Sequence, residues 1–336
     1  MSMLRNWIER AVNRSWYGGV GWTFLFLPLI PAVHLFVWAR RKYRQSVPFA
    51  SLGAPVVIVG GLTAGGTGKT PVIIALAREL GNRGINVGIV SRGYGRRPTD
   101  SMLAVELTHT SETVGDEPLV MKRALPLVPI VVGQSRRDAT NTLIREFGCQ
   151  MVLSDDGLQH YQLPRDFEIA VIDAQRRFGN GWLLPAGPLR EPVCRIETVD
   201  FVLERNGNDP TCSFAYAPVR LSSLNKQHML STQEAMQLWG DSRVVAATGL
   251  GQPDQFFTML RNLGFDATEV FVADHAKLML DEIQTRYQPD VILITEKDAV
   301  KLNRMACDNI WVVEIETKLP QALLTAVATL LDKSPY

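Results

Sequence analysis

The feature that most constrains this chain is a buried strand followed by a glycine-rich turn and a helix, between residues 56 and 80. Residues 56–59 form a short, apolar, β-branched run, which is typical of a strand buried on both faces. The turn ends in Gly68-Lys69-Thr70, and Val72, Leu76 and Leu80 then recur at the spacing of one helical face. Strand, glycine loop and helix in this order is the arrangement of a P-loop.

The residues of this loop predict a phosphate site. Its glycines let backbone N–H groups turn around phosphate oxygens, and the helix presents its positive end to the same place. Lys69 can bridge the outer phosphates, and the Thr70 hydroxyl can hold Mg²⁺. Thr63 stands where GxxxxGK[ST] has its first glycine. We expect nucleotide to contact eight residues: Thr63, Ala64, Gly65, Gly66, Thr67, Gly68, Lys69 and Thr70.

A P-loop alone does not identify the reaction, so the reaction has to be inferred from the neighbouring motifs. Some membrane-associated ATPases carry a further lysine just before the paired glycines, and that position is Ala64 here. GTPases usually read guanine with [NT]KxD, and residues 295–298 have those letters in the wrong order. The sequence therefore argues against a membrane-associated ATPase of that type and against a GTPase.

Two pairs of adjacent acids are candidates for the chemistry. Asp116 and Glu117 lie between a glycine and a proline, where acids also favour a helix start, so this pair alone is better explained by capping. Asp155 and Asp156 follow the apolar run 151–153, where a Walker-B carboxylate would hold Mg²⁺ directly or through water. The second pair is the stronger metal candidate.

Two further features border the predicted nucleotide site. Arg92 follows a predicted strand at 85–90, and it fits phosphate compensation and an ordinary surface turn equally well. Residues 174–199 separate two predicted strands and contain three prolines within 185–192, which makes a continuous helix improbable. A long, mixed apolar and basic loop of this kind is expected to wall the site of an amphipathic anion.

The N-terminus predicts contact with a membrane surface. Residues 15–39 carry no formal charge, and residues 1–50 hold seven basic residues, one acid and four of the seven tryptophans. Pro28, Pro31 and the Gly18-Gly19 pair make a straight spanning helix doubtful. We expect anchoring in the interface, with a true span or a buried soluble element as alternatives.

Charge and cysteine usage narrow the class and the compartment. A net charge of +1 argues against a nucleic-acid binder with a uniformly basic surface. The four cysteines form no CxxC pair and no zinc-ligand spacing with histidine, which fits a reducing cytoplasm.

Alternating apolar runs and helical patterns resume beyond residue 206 and predict a second, smaller parallel sheet. The expected class is α/β: a P-loop NTPase-like parallel sheet domain, a second, smaller α/β domain and an N-terminal membrane-associated helical segment. The expected divisions are a membrane-associating segment at 1–50, a P-loop domain at 51–205, and a smaller α/β domain at 206–336.

Seven motifs, taken together and in this order, resemble those of the tetraacyldisaccharide 4'-kinase family, the lipid A 4'-kinases of Gram-negative bacteria. They are TAGGTGKTP, VSRGYGR, GDEP, SDDGLQHY, RRFGNGWLLPAGPLREP, ADH and TEKDAVK, between Thr63 and Lys301. The resemblance covers nearly the whole chain and includes the basic, apolar N-terminus. Gly61 differs, because the family usually has Asn there.

The resemblance implies transfer of the ATP γ-phosphate to the 4'-hydroxyl of a tetraacylated glucosamine disaccharide 1-phosphate. The expected cofactors are ATP and Mg²⁺, and the expected place is the cytoplasmic face of the inner membrane, peripheral or monotopic, with no nucleic-acid or protein partner. The implied catalytic residues are Asp116, which takes or orients the hydroxyl proton, its partner His275, and Lys69. The implied metal environment is Thr70, Glu117, Asp155 and Asp156, and the implied substrate contacts are Arg92, Arg190 and Glu191.

Two other functions compete with this hypothesis. One is a membrane-associated P-loop ATPase that acts on a protein partner, and the other is a soluble small-molecule kinase with an incidental apolar N-terminus. If His275 meets Asp116, the active site lies in the cleft between the domains, and closure would exclude water that could hydrolyse ATP.

Overall fold

The structure is a computed structural model that describes residues 2–19, 21–45, 51–97, 101–273, 276–302 and 308–333. The described residues form two β-sheets with flanking helices and a helical N-terminal segment, which confirms the predicted α/β class.

The N-terminal segment consists of two helical stretches separated by Gly18 and Gly19. Helix α1 (Ser2–Tyr17) is followed by a 3₁₀-helix at Trp22–Leu29 and by α2 (Ile30–Gln45). Pro28 lies at the change from 3₁₀ to α geometry, so the prolines mark a change of helix type and do not end the helical stretch. By length and composition, Trp22–Arg44 could cross a membrane, with a mean hydropathy of 1.7.

The first sheet has eight strands, and all neighbours are parallel except β3 and β4. The strands are β1 (Val56–Gly60), β2 (Val87–Ser91), β3 (Leu103–Ala104), β4 (Ile130–Val132), β5 (Met151–Asp155), β6 (Phe167–Asp173), β7 (Phe201–Arg205) and β8 (Ser213–Phe214). Their order is β3-β4-β2-β5-β1-β6-β7-β8. The apolar runs read from the sequence are thus the central strands, which are buried on both faces.

The helices of this part follow the strands in the right order for a nucleotide-binding sheet. They are α3 (Lys69–Asn82), α4 (Ser111–Val114), α5 (Asp116–Ala124) and α6 (Arg136–Arg145). One core cluster joins α3, α5 and the sheet, and another joins α6, the opposite face and Ile30 of the N-terminal segment. The central strand β1 is therefore covered on both faces, and its carboxyl end opens into the P-loop.

The second sheet has six strands in the order β10-β9-β14-β13-β11-β12. The strands are β9 (Tyr216–Ser223), β10 (Met229–Ser231), β11 (Val244–Thr248), β12 (Ala267–Phe271), β13 (Val291–Thr295) and β14 (Ile310–Thr317). The helices are α7 (Thr232–Trp239), α8 (Pro253–Asn262), α9 (Leu280–Tyr287), α10 (Glu296–Ala299), α11 (Gln321–Ala328) and α12 (Leu330–Lys333). Strands β14, β13, β11 and β12 pair in parallel, as the alternating pattern predicted. Strand β9 pairs antiparallel with both β14 and β10, so the second sheet is mixed and the prediction of a parallel sheet holds for four of its six strands.

Two elements beyond residue 205 contact the first sheet's layers. Strand β8 pairs with β7, and Leu323, Leu324 and Val327 of α11 join the core cluster that contains α3. The division at residue 205 stays a prediction, and the chain after it returns to the first sheet at both ends.

Candidate active site

The predicted functional motifs meet at one edge of the first sheet. Strands β1, β2, β5, β6 and β7 run parallel, so their carboxyl ends share that edge. Ligands of open α/β sheets bind at this edge. The loops after these strands therefore define the candidate site.

The P-loop turns into α3 at a glycine in the left-handed region. Gly68 has φ 92°, and α3 begins at Lys69. A Cβ atom on Gly68 would stand 2.0 Å from Oη of Tyr216, so both the backbone angle and the space require glycine. A Cβ atom on Gly65 or Gly66 would meet nothing within 4 Å, and the loop is open on that side. This shape fits a phosphate cradle.

The loop at 183–190 forms a wall against the P-loop. Ala64 N donates to Pro188 O over 2.8 Å, and Arg190 N donates to Leu62 O over 2.7 Å. Thr63 and Leu189 form an antiparallel bridge between these hydrogen bonds. The proline-rich segment is thus paired to the predicted nucleotide loop by its backbone.

Asp156 lies between two cations at the mouth of the P-loop. Its carboxylate is 3.5 Å from Lys69 Nζ and 2.7 Å from Arg190 Nη1. Burial raises the pKa of this carboxyl, but Lys69 and Arg190 outweigh burial and lower it to about 2. The group is therefore charged at every physiological pH. The structure brings together Lys69, Asp156 and Arg190, three of the predicted site residues, and their separate roles stay predictions.

Asp155 is buried beside other acids. Its Oδ2 accepts a hydrogen bond of 2.9 Å from Ser91 Oγ, and burial, together with the charges of Glu117 and Asp156, raises its pKa to about 7. Its Oδ1 is buried without a hydrogen-bond partner in the part of the chain that is described. A divalent cation would satisfy that oxygen and remove the mutual repulsion.

The fit of Mg²⁺ rests on these oxygens. Within the described ranges, no group of three or more His, Cys, Asp and Glu side chains is arranged to hold a metal ion. Mg²⁺ commonly takes one or two carboxylates and completes its shell with phosphate oxygens and water. Asp155, Glu117 and the Thr70 hydroxyl carry oxygen donors of these types, and their role in holding Mg²⁺ stays a prediction.

The predicted base meets lysines from the second sheet. Asp116 Oδ2 is 3.8 Å from Lys301 Nζ, and Glu117 Oε1 is 3.9 Å from Lys297 Nζ. Lys301 is itself buried, 3.4 Å from Asp298 Oδ1, and it donates to the carbonyl of Ala276 over 3.3 Å. The GDEP and TEKDAVK motifs thus face each other across the cleft between the sheets.

Asp298 fixes this lysine cluster to the second sheet. Its carboxylate accepts hydrogen bonds from Thr248 Oγ1 at 2.9 Å, Gly249 N at 3.0 Å and Thr295 Oγ1 at 2.6 Å. The ends of β11 and β13 are therefore tied together directly beneath Lys301.

Basic side chains surround the end of β5. Burial, followed by the charges of Arg136 and Arg165 and then by those of Arg44 and Arg92, lowers the pKa of His160 to about 4. Arg136 is buried and donates to Asp156 O over 3.0 Å. The predicted substrate residue Arg92 is exposed and faces the same region.

Glu191 points inward. It is 2% exposed, is hydrogen-bonded to Tyr161 Oη, and is 3.8 Å from Arg195 Nε. Gln159 Nε2 donates to Glu191 over 3.3 Å and to Gly61 O over 3.2 Å. These contacts place Glu191 behind the P-loop, and its role in binding substrate stays a prediction.

His275 lies outside the described residues, so its predicted pairing with Asp116 stays a prediction.

Four residues of this site were not predicted from the sequence. Three of them, Lys297, Lys301 and Gln159, lie within the TEKDAVK and SDDGLQHY motifs, but the sequence analysis assigned them no role. A charged or amide side chain within such a motif could have been proposed as a site residue. Nothing in the spacing pointed to Arg136, which reaches Asp156 from α6.

A glycine cradle that starts a helix, a lysine and paired acids at its mouth, and a parallel sheet behind it define a P-loop nucleotide-binding α/β enzyme. The sequence profile described as "Tetraacyldisaccharide-1-P 4'-kinase" matches residues 22–332. The chain belongs to that family, the LpxK family, as the motifs predicted.

The chain is similar to several curated members along almost all of its length. It is 39% identical to the tetraacyldisaccharide 4'-kinase of Actinobacillus succinogenes over 324 residues, covering 95% of this chain and 96% of that protein. It is 38% identical to the Aeromonas salmonicida kinase over 327 residues, covering 96% of each. A crystal structure of LpxK from Aquifex aeolicus in complex with ATP matches with a TM-score of 0.73 and 26% identity, covering 92% of this chain and 99% of that one.

Proposed function

We propose that this chain transfers the γ-phosphate of ATP to the 4'-hydroxyl of a tetraacylated glucosamine disaccharide 1-phosphate, a step of lipid A biosynthesis. Family membership supports the reaction, and the complex of the Aquifex aeolicus protein supports ATP as the donor. The observation that carries the proposal is the meeting of Lys69, Asp156 and Arg190 at the mouth of the P-loop.

Phosphoryl transfer asks mainly for positioning and for neutralisation of charge. The backbone of the P-loop and Lys69 would hold the phosphates, while Arg190 both fixes Asp156 and adds positive charge. Asp155, Glu117 and Thr70 would hold Mg²⁺, which supplies charge neutralisation at the β- and γ-phosphates when it is bound. Asp116 would receive or orient the hydroxyl proton, and Lys301 holds its carboxylate at the cleft.

An anionic acceptor fits the charge around the P-loop. Arg92, Arg136 and Arg165 surround His160, and Arg44 reaches the same place from the basic end of α2. The phosphate group of a sugar phosphate would contact these arginines when its sugar extends from the membrane surface and its acyl chains stay in the membrane. This arrangement supports the lipid disaccharide as the substrate.

The N-terminal segment supports a place at the cytoplasmic face of the inner membrane. Its inner face packs on the first sheet through Phe26, Leu27 and Ile30. Its outer face exposes apolar side chains, with Leu25 79% exposed and Phe36 66% exposed. A helix of this kind, with basic residues at its end, fits a position in the headgroup layer.

The direct test combines purified protein, labelled ATP, Mg²⁺ and a tetraacylated disaccharide 1-phosphate in detergent. We expect label in the lipid, and we expect Lys69→Met and Asp116→Asn to remove most of the transfer while both variants unfold at the wild-type temperature. Free phosphate without labelled lipid would instead support an ATPase that acts on a protein partner. Wild-type turnover by Asp116→Ala would refute its role as the base.

A further inference from the structure

The N-terminal segment is attached to the wall of the P-loop through hydrogen bonds. Thr23 is 1% exposed, and its hydroxyl donates to Ala186 O over 3.0 Å. The same hydroxyl lies 2.5 Å from Ser15 Oγ, which joins the end of α1 to the start of the 3₁₀-helix. Two stretches of the segment therefore converge on one carbonyl of the wall.

The end of α1 makes further contacts with the wall and with the residues just before it. Asn180 N donates to Trp16 O over 2.8 Å, and Trp16 Nε1 donates to Pro185 O over 3.3 Å. Arg176 lies 4.9 Å from the centre of the Tyr17 ring. Burial raises the pKa of the Tyr17 phenol, against the charge of Arg176 and the neighbouring Thr63 hydroxyl. The end of α1 is thus held to this part of the chain by backbone and side-chain groups together.

A short path leads from these contacts to the phosphate cradle. Ala186 O, which accepts from Thr23, is two residues from Pro188 O, which accepts from Ala64 N of the P-loop. Asn180 Nδ2 also donates to Ala186 O, at 3.0 Å, which closes the wall on itself. The wall is therefore held on one side by the segment with the exposed apolar face and on the other by the nucleotide loop.

We propose that the N-terminal segment positions the P-loop through this wall, with Thr23 as the central positioning residue, so that binding to a lipid surface and binding of nucleotide strengthen each other. The inference rests on the proposed membrane association and deepens it into a regulation of the same site. A surface that orders the segment also orders the wall, and nucleotide then binds a loop that is already held. The coupling must be reciprocal: nucleotide strengthens binding to the surface by the same factor.

The test measures the Kd of a non-hydrolysable MgATP analogue with and without vesicles that contain phosphatidylglycerol. Wild-type protein should bind the analogue more tightly on vesicles. Thr23→Val keeps the shape and removes the hydrogen bonds, so it should bring the ratio of the two Kd values close to one. Without vesicles it should weaken binding roughly 2- to 12-fold, the range expected for the loss of the one hydrogen bond that joins Thr23 to the wall.

Two controls separate positioning from stability. Thr329→Val removes a hydroxyl that donates to the Ala326 carbonyl over 2.9 Å, at the junction of α11 and α12, and it should keep the wild-type ratio. Thermal unfolding and cosedimentation with vesicles are measured for each variant. A purely structural role for Thr23 would lower the unfolding temperature and leave the Kd ratio at its wild-type value, which would overturn the proposal.

The remaining outcomes are distinguishable. Wild-type protein that cosediments with vesicles yet has the same Kd in both conditions overturns the coupling and leaves the proposed function intact. Wild-type protein that does not cosediment overturns the membrane part of the proposed function and the coupling with it. Tyr17→Phe, which keeps the stacking on Arg176, should weaken nucleotide binding less than Thr23→Val, and the reverse order would displace Thr23 as the central residue.

Discussion

The proposed base is held by a lysine from the second sheet. Lys301 is 5% exposed and stands between Asp116 at 3.8 Å and Asp298 at 3.4 Å. Its ammonium group is the link by which the second sheet sets the position of a carboxylate on the first. A small displacement of a group at the reacting centre can cost a large part of the rate.

We therefore expect Lys301→Met to lower kcat by about 10- to 100-fold, the scale of loss expected when a reacting group is misplaced. The fold should survive, because Asp298 keeps its hydrogen bonds from Thr248, Gly249 and Thr295. Steady-state kinetics with thermal unfolding checks both statements. Lys301→Arg, which retains the charge, should recover part of the rate, whereas wild-type kcat in Lys301→Met would exclude this role.

Gly68 gives a second prediction about single residues. Gly68→Ala places a Cβ atom 2.0 Å from Tyr216 Oη and forces a left-handed φ on alanine. We expect it to abolish measurable binding of MgATP. In Gly68→Ala with Tyr216→Phe, the nearest remaining atom of that ring is the carbon at 3.2 Å, so binding should return in part, still weakened by the strain of about 1–2 kcal/mol. Calorimetric titration of the two variants decides, and equal binding by both would remove the steric argument.

Among the elements, helix α10 places a carboxyl in the cavity between the sheets. Glu296 begins α10 and lines a cavity of about 570 Å³, with Arg78 of α3 and Glu314 of β14 on its walls. Burial and the charge of Glu314 raise its pKa to about 7, against the backbone N–H of Ile315 and the charges of Lys226 and Arg78. Between about pH 4.5 and pH 7, the folded protein therefore keeps a proton on Glu296 that the unfolded chain has already released.

This shift sets the sign of a pH dependence. The ordinary pKa of the carboxyl is 4.5, so stability falls as pH rises from about 4.5 to about 7 and stays reduced above that. Glu296→Gln removes the effect and should be more stable than wild type at pH 8.5, by about 1–3 kcal/mol. Urea unfolding at pH 5.5 and 8.5 tests it: the advantage of the variant must grow with pH, and a constant difference would contradict the argument.

Some elements of the fold and the site can be predicted from the sequence, and others cannot be predicted from it. Strand β1, the P-loop and α3 were predictable because the apolar run, the glycines and the helical spacing are all local. Asp116 could be assigned to a helix start or to catalysis, and it both begins α5 and faces Lys301. The pairing of the wall with the P-loop could not be predicted, because it depends on where a long irregular segment returns.

In the whole molecule, the sheets are joined by a buried polar cluster beside the P-loop. Arg205, at the end of β7, pairs with Asp173 at the end of β6, and both are buried. From the second sheet's side, Gln252 accepts from Arg205 over 2.8 Å and Gln255 donates to Asp173 over 3.0 Å. Because of this cluster and of α11, which packs on α3, we expect the two sheets to unfold as one cooperative unit.

The expected consequence is a single calorimetric unfolding transition for the wild-type protein. Arg205→Met leaves the Asp173 carboxyl buried without its arginine, with hydrogen bonds from the backbone of Gln175 and Arg176 and from Gln255. Removing one partner of a buried pair costs about 3–5 kcal/mol. The substitution removes the Arg205–Asp173 pair within the first sheet and also the hydrogen bond from Arg205 to Gln252, which lies between the sheets. We therefore expect the thermogram to split into two transitions, with the first, that of the first sheet, at lower temperature than in wild type.

The matched control is Arg243→Met, which breaks an exposed arginine–carboxylate pair with Asp290 at 3.2 Å. An exposed pair contributes at most about 1 kcal/mol, so this variant should keep one transition close to the wild-type temperature. Two transitions already present in the wild-type protein would mean that the sheets unfold independently, and the cluster around Arg205 would then stabilise only the first of them. If Arg205→Met instead shows a single transition at a lower temperature, the two sheets would be coupled mainly by α11, whose apolar side chains pack in the same core cluster as α3.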